Sequence, residues 1–179
     1  MKVAIVGCGL IGRKRAMALD PEDSIAACCD IVPESADKFG AEFSCPRFTD
    51  WRELLRKTEC DAFIVAVVNK FIREITVAAL ESGKHVLAEK PLGRNAEEAR
   101  AMVEALERRR IPGSKPRLQA PVLKTGFNHR FHPAIWRAKE ICDAGGIGSL
   151  FSIRARYGHG ARPGMETEWR SSRDLCGGG

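Results

Sequence analysis

The feature that most limits the fold is an alternation of short apolar runs with longer segments of helical pattern. The runs are KVAIVG (2–7), SIAACCD (24–30), DAFIVAVV (61–68), KHVLAE (84–89) and PVLKTGF (121–127). Most are apolar at successive positions rather than at every second one, as in strands covered on both faces of a parallel sheet. The segments between them carry helix signals. Pro33 suits a first helical position, and Gly40 is expected to close that helix. Asp50 with Glu53 resembles a capping box, with Trp51, Leu54 and Leu55 on one face. Ile72, Ile75 and Ala79 share a face ahead of Gly83. Asn95 can cap a helix that turns Ala99, Met102, Val103 and Leu106 inward. The alternation predicts an α/β fold built on a doubly wound parallel sheet.

After about residue 125 the pattern changes. Pro133 is expected to open a helix with Ile135, Ala138 and Ile141 inward, and LFSIRARY (150–157) then alternates apolar with polar. A strand with one dry and one wet face belongs to an open antiparallel sheet. Two domains are therefore expected: 1–125 as the parallel-sheet domain, and 126–179 as the beginning of an α+β open-sheet domain.

Composition narrows the class. The chain has 179 residues, 44% hydrophobic and 29% charged, enough for one sound core with length to spare. Met1 and Lys2 lead directly into VAIVG with no signal-peptide pattern, and no apolar run reaches the roughly 18 residues of a membrane span. The expectation is a soluble protein without a membrane partner. The seven cysteines form no CxxC pair, and several sit in apolar runs, which predicts reduced thiols and a cytoplasmic location. The net charge of +6 concentrates in ERRRIPGSKPR (107–117). No aromatic residue interleaves that cluster to stack a base, and cations suit a helix C-terminus, so no nucleic-acid partner is expected.

The stretch VAIVGCGLIGRKRAMAL places Gly7, Gly9 and Gly12 as GxGxxG between a strand and a helix. Gly7 permits a tight turn, Gly9 lets the backbone approach a pyrophosphate, and Gly12 brings helix and strand together. Free N–H groups at the helix start then face the anion. Asp30 ends the next strand about 20 residues on, where a carboxylate can accept both ribose hydroxyls and repel a 2′-phosphate. The pattern predicts a dinucleotide, NAD in preference to NADP. Asp30 could instead be a turn or cap residue. Arg13, Lys14 and Arg15 leave room for NADP, or form a solvated helix face.

The second site signal is VLAEKPLG (86–93), which runs from small apolar residues straight into Glu89 and Lys90. In an open α/β sheet, ligands sit at the carboxyl ends of the strands. Both Ala66, Val67, Val68, Asn69 and Ala88, Glu89, Lys90, Pro91 lie at such ends. Lys90 there could hydrogen-bond a substrate hydroxyl and help move its proton while a hydride leaves the same carbon. The plainer reading is a lysine paired with Glu89 at a strand end.

VAIVGCGLIG, ALESGKHVLAEKPLG, GFNHRFHPAI and EWRSSRDLCGGG occur in this order across the chain, which resembles the Gfo/Idh/MocA oxidoreductase family. The resemblance implies an N-terminal Rossmann domain, then a C-terminal domain carrying the substrate site and a possible homo-oligomer contact. It implies NAD(P)-dependent chemistry at a sugar, sugar-nucleotide or cyclitol carbon. On that pattern Lys90 is the catalytic lysine. Gly7, Gly9, Leu10, Ile11, Gly12, Asp30, Ala66, Val67, Val68, Asn69, Glu89 and Asn128 are cofactor contacts. Arg130 shares the lining near the nicotinamide with Asn128, and Trp169 with Arg170 borders the substrate cleft.

Departures from the family pattern also count. Ile72 stands where the family carries a histidine after the strand-end Asn, and the loop around 108–121 is longer than usual. The glycine run 177–179 opens a family signature whose Asp and His would follow it, so this chain is expected to be a catalytically incomplete portion. His129 beside Arg130 could contact substrate, or could be a turn residue with one backbone bond. His129, His132 and His159 lack a carboxylate or cysteine to complete a site, so no metal is expected. Two rivals stand beside the dehydrogenase: an NAD-dependent glycosidase of the same family, and a non-catalytic NAD-binding protein.

Overall fold

A computed structural model describes residues 1–109 and 120–156, which fall into two compact units, Met1–Gly126 and residues 127–156. In the first unit the sheet has β1 (Lys2–Val6), β2 (Ser24–Cys29), β3 (Arg47–Phe48), β4 (Ala62–Val65), β5 (His85–Ala88) and β6 (Leu123–Thr125); the five apolar runs supply all of these except the two-residue β3. All pair in parallel, in the order β3-β2-β1-β4-β5-β6. Five helices connect them: α1 (Leu10–Ala16), α2 (Pro33–Phe43), α3 (Trp51–Lys57), α4 (Asn69–Glu81) and α5 (Ala96–Arg108).

The unbroken apolar runs are explained by two separate cores. Ala4, Val6, Phe63, Val65, Val86 and Ala88 bury one face of the sheet under Leu54 of α3, Ile72, Ile75 and Ala79 of α4, and Met102 of α5. Val3, Ile5, Cys28 and Ile64 bury the other under Ala16 of α1 and Phe39 of α2. Neighbouring residues along a strand point to opposite faces, so both must be apolar.

Three local expectations are corrected. Gly40 does not close α2; the helix runs on to Phe43 and ends at left-handed Ser44. Gly40 is buried, and a Cβ there would stand 3.0 Å from the Cys45 carbonyl oxygen, so it serves a close approach rather than a cap. Of the expected stripe on α5, Met102 is buried, Leu106 packs on the core and Ala99 is half-buried, but Val103 is 42% exposed; Glu98 and Ala105 are buried in addition. Asp50 caps α3 by accepting Arg52 N–H at 2.9 Å, but Glu53 accepts from Lys57 Nζ at 2.5 Å. Half of the box therefore becomes an i,i+4 pair.

The second unit contains a 3-10 turn (Asn128–Phe131) and α6 (Pro133–Asp143). Pro133 opens the helix, capped by His132 Nδ1, which accepts Ala134 N–H at 3.2 Å. Ile135, Ala138 and Ile141, expected inward, are exposed, as are Phe151 and Ile153. Residues 150–156 form no strand. Both differences have one cause: an amphipathic helix face and a one-sided strand each need a neighbour, and the described part of this unit supplies only the turn. Among the described residues, no helix is long and apolar enough to cross a membrane.

Candidate functional site

The site lies at the carboxyl edge of the sheet, beside the junction of β1 with β4, where the strand order reverses. β1 delivers the chain to Gly7, whose φ of +98° only glycine adopts freely. Sterics forbid a side chain as well: a Cβ on Gly7 would stand 2.3 Å from the Ala66 carbonyl oxygen. A Cβ on Gly12 would stand 1.8 Å from the Gly7 carbonyl oxygen, so α1 can sit on the turn only through that glycine. Gly9 differs. Nothing lies within 4 Å of where its Cβ would be, and it lines a cavity of about 510 Å³. The protein's own packing would tolerate a side chain at Gly9; what glycine preserves there is open space over the turn. Leu10 and Ile11 stand exposed at the start of α1, which has no side-chain cap on its first N–H groups.

Asp30 follows β2. Its Oδ2 accepts the Cys8 N–H at 2.8 Å and its Oδ1 accepts the Val32 N–H at 3.0 Å. The turn-residue reading of Asp30 is therefore correct, yet it does not exhaust the group: a carboxylate offers about four acceptor positions, and these bonds use two. Ile31, Val32, Trp51, Ala66, Val67, Val68 and Phe71 wall the same cavity with mostly apolar surface. The Arg52 guanidinium lies 4.3 Å over the Trp51 ring and reaches Glu74 at 3.3 Å. Cys29, also in the wall, has its thiol pushed up to about 12, first by burial and then by the charges of Asp30 and Asp50. It is an inert apolar surface.

Asn69 opens α4 directly after Val68. Ile72 is fully buried, so the position where the family carries a histidine belongs here to the core.

At the end of β5, the buried charge is Glu89, not Lys90. Glu89 is 8% exposed, and its Oε1 receives Arg15 Nε at 2.6 Å and a terminal guanidinium nitrogen at 2.5 Å. Lys90 stands exposed one residue further on, and does not pair with Glu89. Arg13 donates from Nε to both Glu42 oxygens, at 2.7 and 2.8 Å. Arg13 and Lys14 are exposed, as a solvated face requires, Arg13 within a surface ion pair; Arg15 alone turns partly inward, to Glu89.

The structure brings Gly7, Gly9, Asp30, Ala66, Val67 and Val68 together around the cavity. Glu89 and Lys90 lie at the neighbouring strand end. Asn128, His129 and Arg130 form the 3-10 turn of the second unit, where the Arg130 carbonyl accepts Trp136 Nε1–H at 2.8 Å. Trp169, Arg170, His159 and the loop of 110–119 lie outside the described residues. Sequence reasoning missed the pairing of Arg15 with Glu89 and the place of the segment from Thr49 to Arg52 in the cavity wall. That segment follows β3, a two-residue strand too short to show a pattern; the signal available was Thr49-Asp50 as the close of a strand.

A parallel sheet in this order, with a glycine turn after its first strand and a carboxylate after its second, defines a Rossmann-type dinucleotide-binding protein. The chain belongs to the Gfo/Idh/MocA oxidoreductase family: the model for that family, described as an oxidoreductase family with an NAD-binding Rossmann fold, matches residues 1–111. It is 30% identical to levoglucosan dehydrogenase of Pseudarthrobacter phenanthrenivorans, over 100% of this chain and 47% of that one. It is 28% identical to inositol 2-dehydrogenase of Salmonella typhimurium, over 88% of this chain and 46% of that one. Among solved structures, apo scyllo-inositol dehydrogenase from Lactobacillus casei superposes with a TM-score of 0.71 at 26% identity, covering 82% of this chain and 42% of that chain. The chain spans about half the length of the curated relatives it matches.

Proposed function

We propose that the protein is an NAD-dependent dehydrogenase acting on a secondary alcohol of a sugar, sugar nucleotide or cyclitol. The observation that carries this reading is the open space over Gly9 beside the Asp30 carboxylate, at the switch point of the sheet. Gly7, Gly9, Leu10, Ile11 and Gly12 would hold the pyrophosphate, and Asp30 the adenosine ribose through its remaining acceptor positions. Ala66 to Asn69, Glu89 and Asn128 would border the nicotinamide half. Bound NAD supplies the hydride acceptor or donor.

The exposed ammonium of Lys90 is assigned the proton work. In the oxidative direction its neutral amine form would take the hydroxyl proton as the hydride leaves the same carbon, and in the reductive direction the ammonium would return that proton to the carbonyl oxygen and stabilise negative charge developing there. His129, Arg130, Trp169 and Arg170 are assigned to substrate binding. Residues 1–125 would be the NAD domain and 126–179 the start of a substrate and dimerisation domain. Relatives named for levoglucosan and inositol support the substrate class.

The test pairs calorimetric titration of NAD+ with turnover on sugars and cyclitols, followed by reduced-nicotinamide absorbance. Lys90→Ala should leave the NAD+ dissociation constant within about twofold and abolish turnover in a protein that has it. Unchanged turnover in that variant removes Lys90 from the chemistry; no NAD+ binding by the wild type removes the assignment itself.

A further inference from the structure

Glu89 is enclosed on several sides. Arg15 grips Oε1 with two nitrogens, and its own neighbour's N–H, that of Lys90, reaches Oε2 at 3.3 Å. On the remaining side a Cβ on Gly126 would stand 2.7 Å from Oε2 and 2.8 Å from the carboxyl carbon. Gly126 is itself fixed by donating its N–H to the Ala88 carbonyl at 2.9 Å. The space for this carboxylate is therefore shaped by a glycine, and its charge is met by a two-pronged, partly buried guanidinium.

The origin of the two partners matters more than their strength. Arg15 comes from α1, the helix that begins at the glycine turn, and Glu89 lies 74 residues away at the end of β5. One partner belongs to the β1–β3 half of the sheet and the other to the β4–β6 half. A dinucleotide in such a fold lies across these halves, adenosine on the first and the second nucleotide on the other. The pair is thus a strut between the two parts of the site, on the segment that carries Lys90.

We propose that Arg15 is a positioning residue: by clamping Glu89 it holds the Glu89–Lys90 strand end in register with the glycine turn, so that the nicotinamide-riboside part of a bound dinucleotide depends on it and the adenosine-pyrophosphate part does not. This rests on the reading that the glycine turn takes NAD.

The test titrates the chain with NAD+ and with ADP, which carries adenosine and pyrophosphate but no nicotinamide riboside. Arg15→Ala should weaken NAD+ about tenfold or more while ADP stays within about twofold. Arg15→Lys, which keeps the charge but loses the fork, should recover only part of the difference. Gly126→Ala, which displaces the Glu89 carboxylate without touching Arg15, should reproduce the selective loss, and carries the test if Arg15→Ala does not fold. Variants that bind both ligands as the wild type does, or lose both equally, overturn the proposal. A wild-type chain that binds neither ligand overturns the NAD reading first, and this inference with it.

Discussion

The carboxylate of Asp30 accepts the backbone N–H of Cys8 at 2.8 Å, which bonds the end of β2 directly to the glycine turn that follows β1. The same carboxylate shapes its own turn through Val32 N–H. One side chain thus fixes the loop that would face the pyrophosphate and presents negative charge where an adenosine ribose would lie.

Replacing Asp30 should act on both counts. Asp30→Ala is expected to weaken NAD+ binding about tenfold, the loss of hydrogen bonds to an ionised acceptor. NADP+ should lose less, because the repulsion of its 2′-phosphate is also removed. Titration of both nucleotides checks this; an unchanged ratio of the two affinities would show that Asp30 only supports the turn.

The three glycines of the turn should separate stability from binding. Gly12→Ala places a Cβ 1.8 Å from a backbone oxygen, so about 3 kcal/mol or more of stability should be lost. Gly9→Ala meets nothing in the protein and should leave the melting temperature nearly unchanged while NAD+ binding falls. Thermal unfolding with and without NAD+ distinguishes them, and an unstable Gly9→Ala would contradict the assignment of open space.

Glu98 gives the fold an acid-sensitive element. Burial works to raise its pKa, but hydrogen bonds from the Arg94 side chain and backbone N–H outweigh that and hold it below the ordinary 4.5. A depressed folded pKa contributes stability that is present above 4.5 and lost as the pH falls toward the folded value. Glu98→Gln should therefore unfold at lower urea than wild type at pH 7, by about 1–2 kcal/mol, with the gap closing in acid. Urea midpoints measured from neutral pH downward check this; parallel curves would refute it.

The six thiols among the described residues should react in two groups. Burial raises Cys29, to about 12, and Cys60. Cys28 reaches about 12, its Cys45 contact working downward but outweighed by the Cys8 contact and burial. Cys45 is raised by its bond with Cys28 and by burial. Thiolate is the reactive form, so these four should resist alkylation in the native state. Cys8 and Cys142 are partly exposed and should label first. Mass spectrometry of alkylated peptides reads the order, and NAD+ should slow labelling of Cys8 in the glycine turn.

The sequence disclosed most of the first unit because its signals are local and redundant. Unbroken apolar runs such as DAFIVAVV mean a strand covered twice, and GxGxxG with a following acidic strand end is a short-range pattern. Asn95 could be read as a cap because a cap needs only its own next turn; its side chain accepts Glu98 N–H at 2.9 Å. Val103 was misjudged because periodicity gives a helix's apolar width but not the direction of its neighbour. β3 was invisible because two residues carry no period.

By itself, then, the amino-acid order determined five of the six strands of the first unit, its helices, the glycine turn and the acidic residue beside it, since each is set by neighbours within a few positions. Only the tertiary structure decided that Gly40 answers to Cys45, that Ile72 belongs to the core, and that Glu89 rather than Lys90 is the buried charge at the end of β5. It alone matched Glu89 with Arg15, because a pairing across 74 residues leaves no local trace and arises when the sheet brings α1 and the end of β5 together.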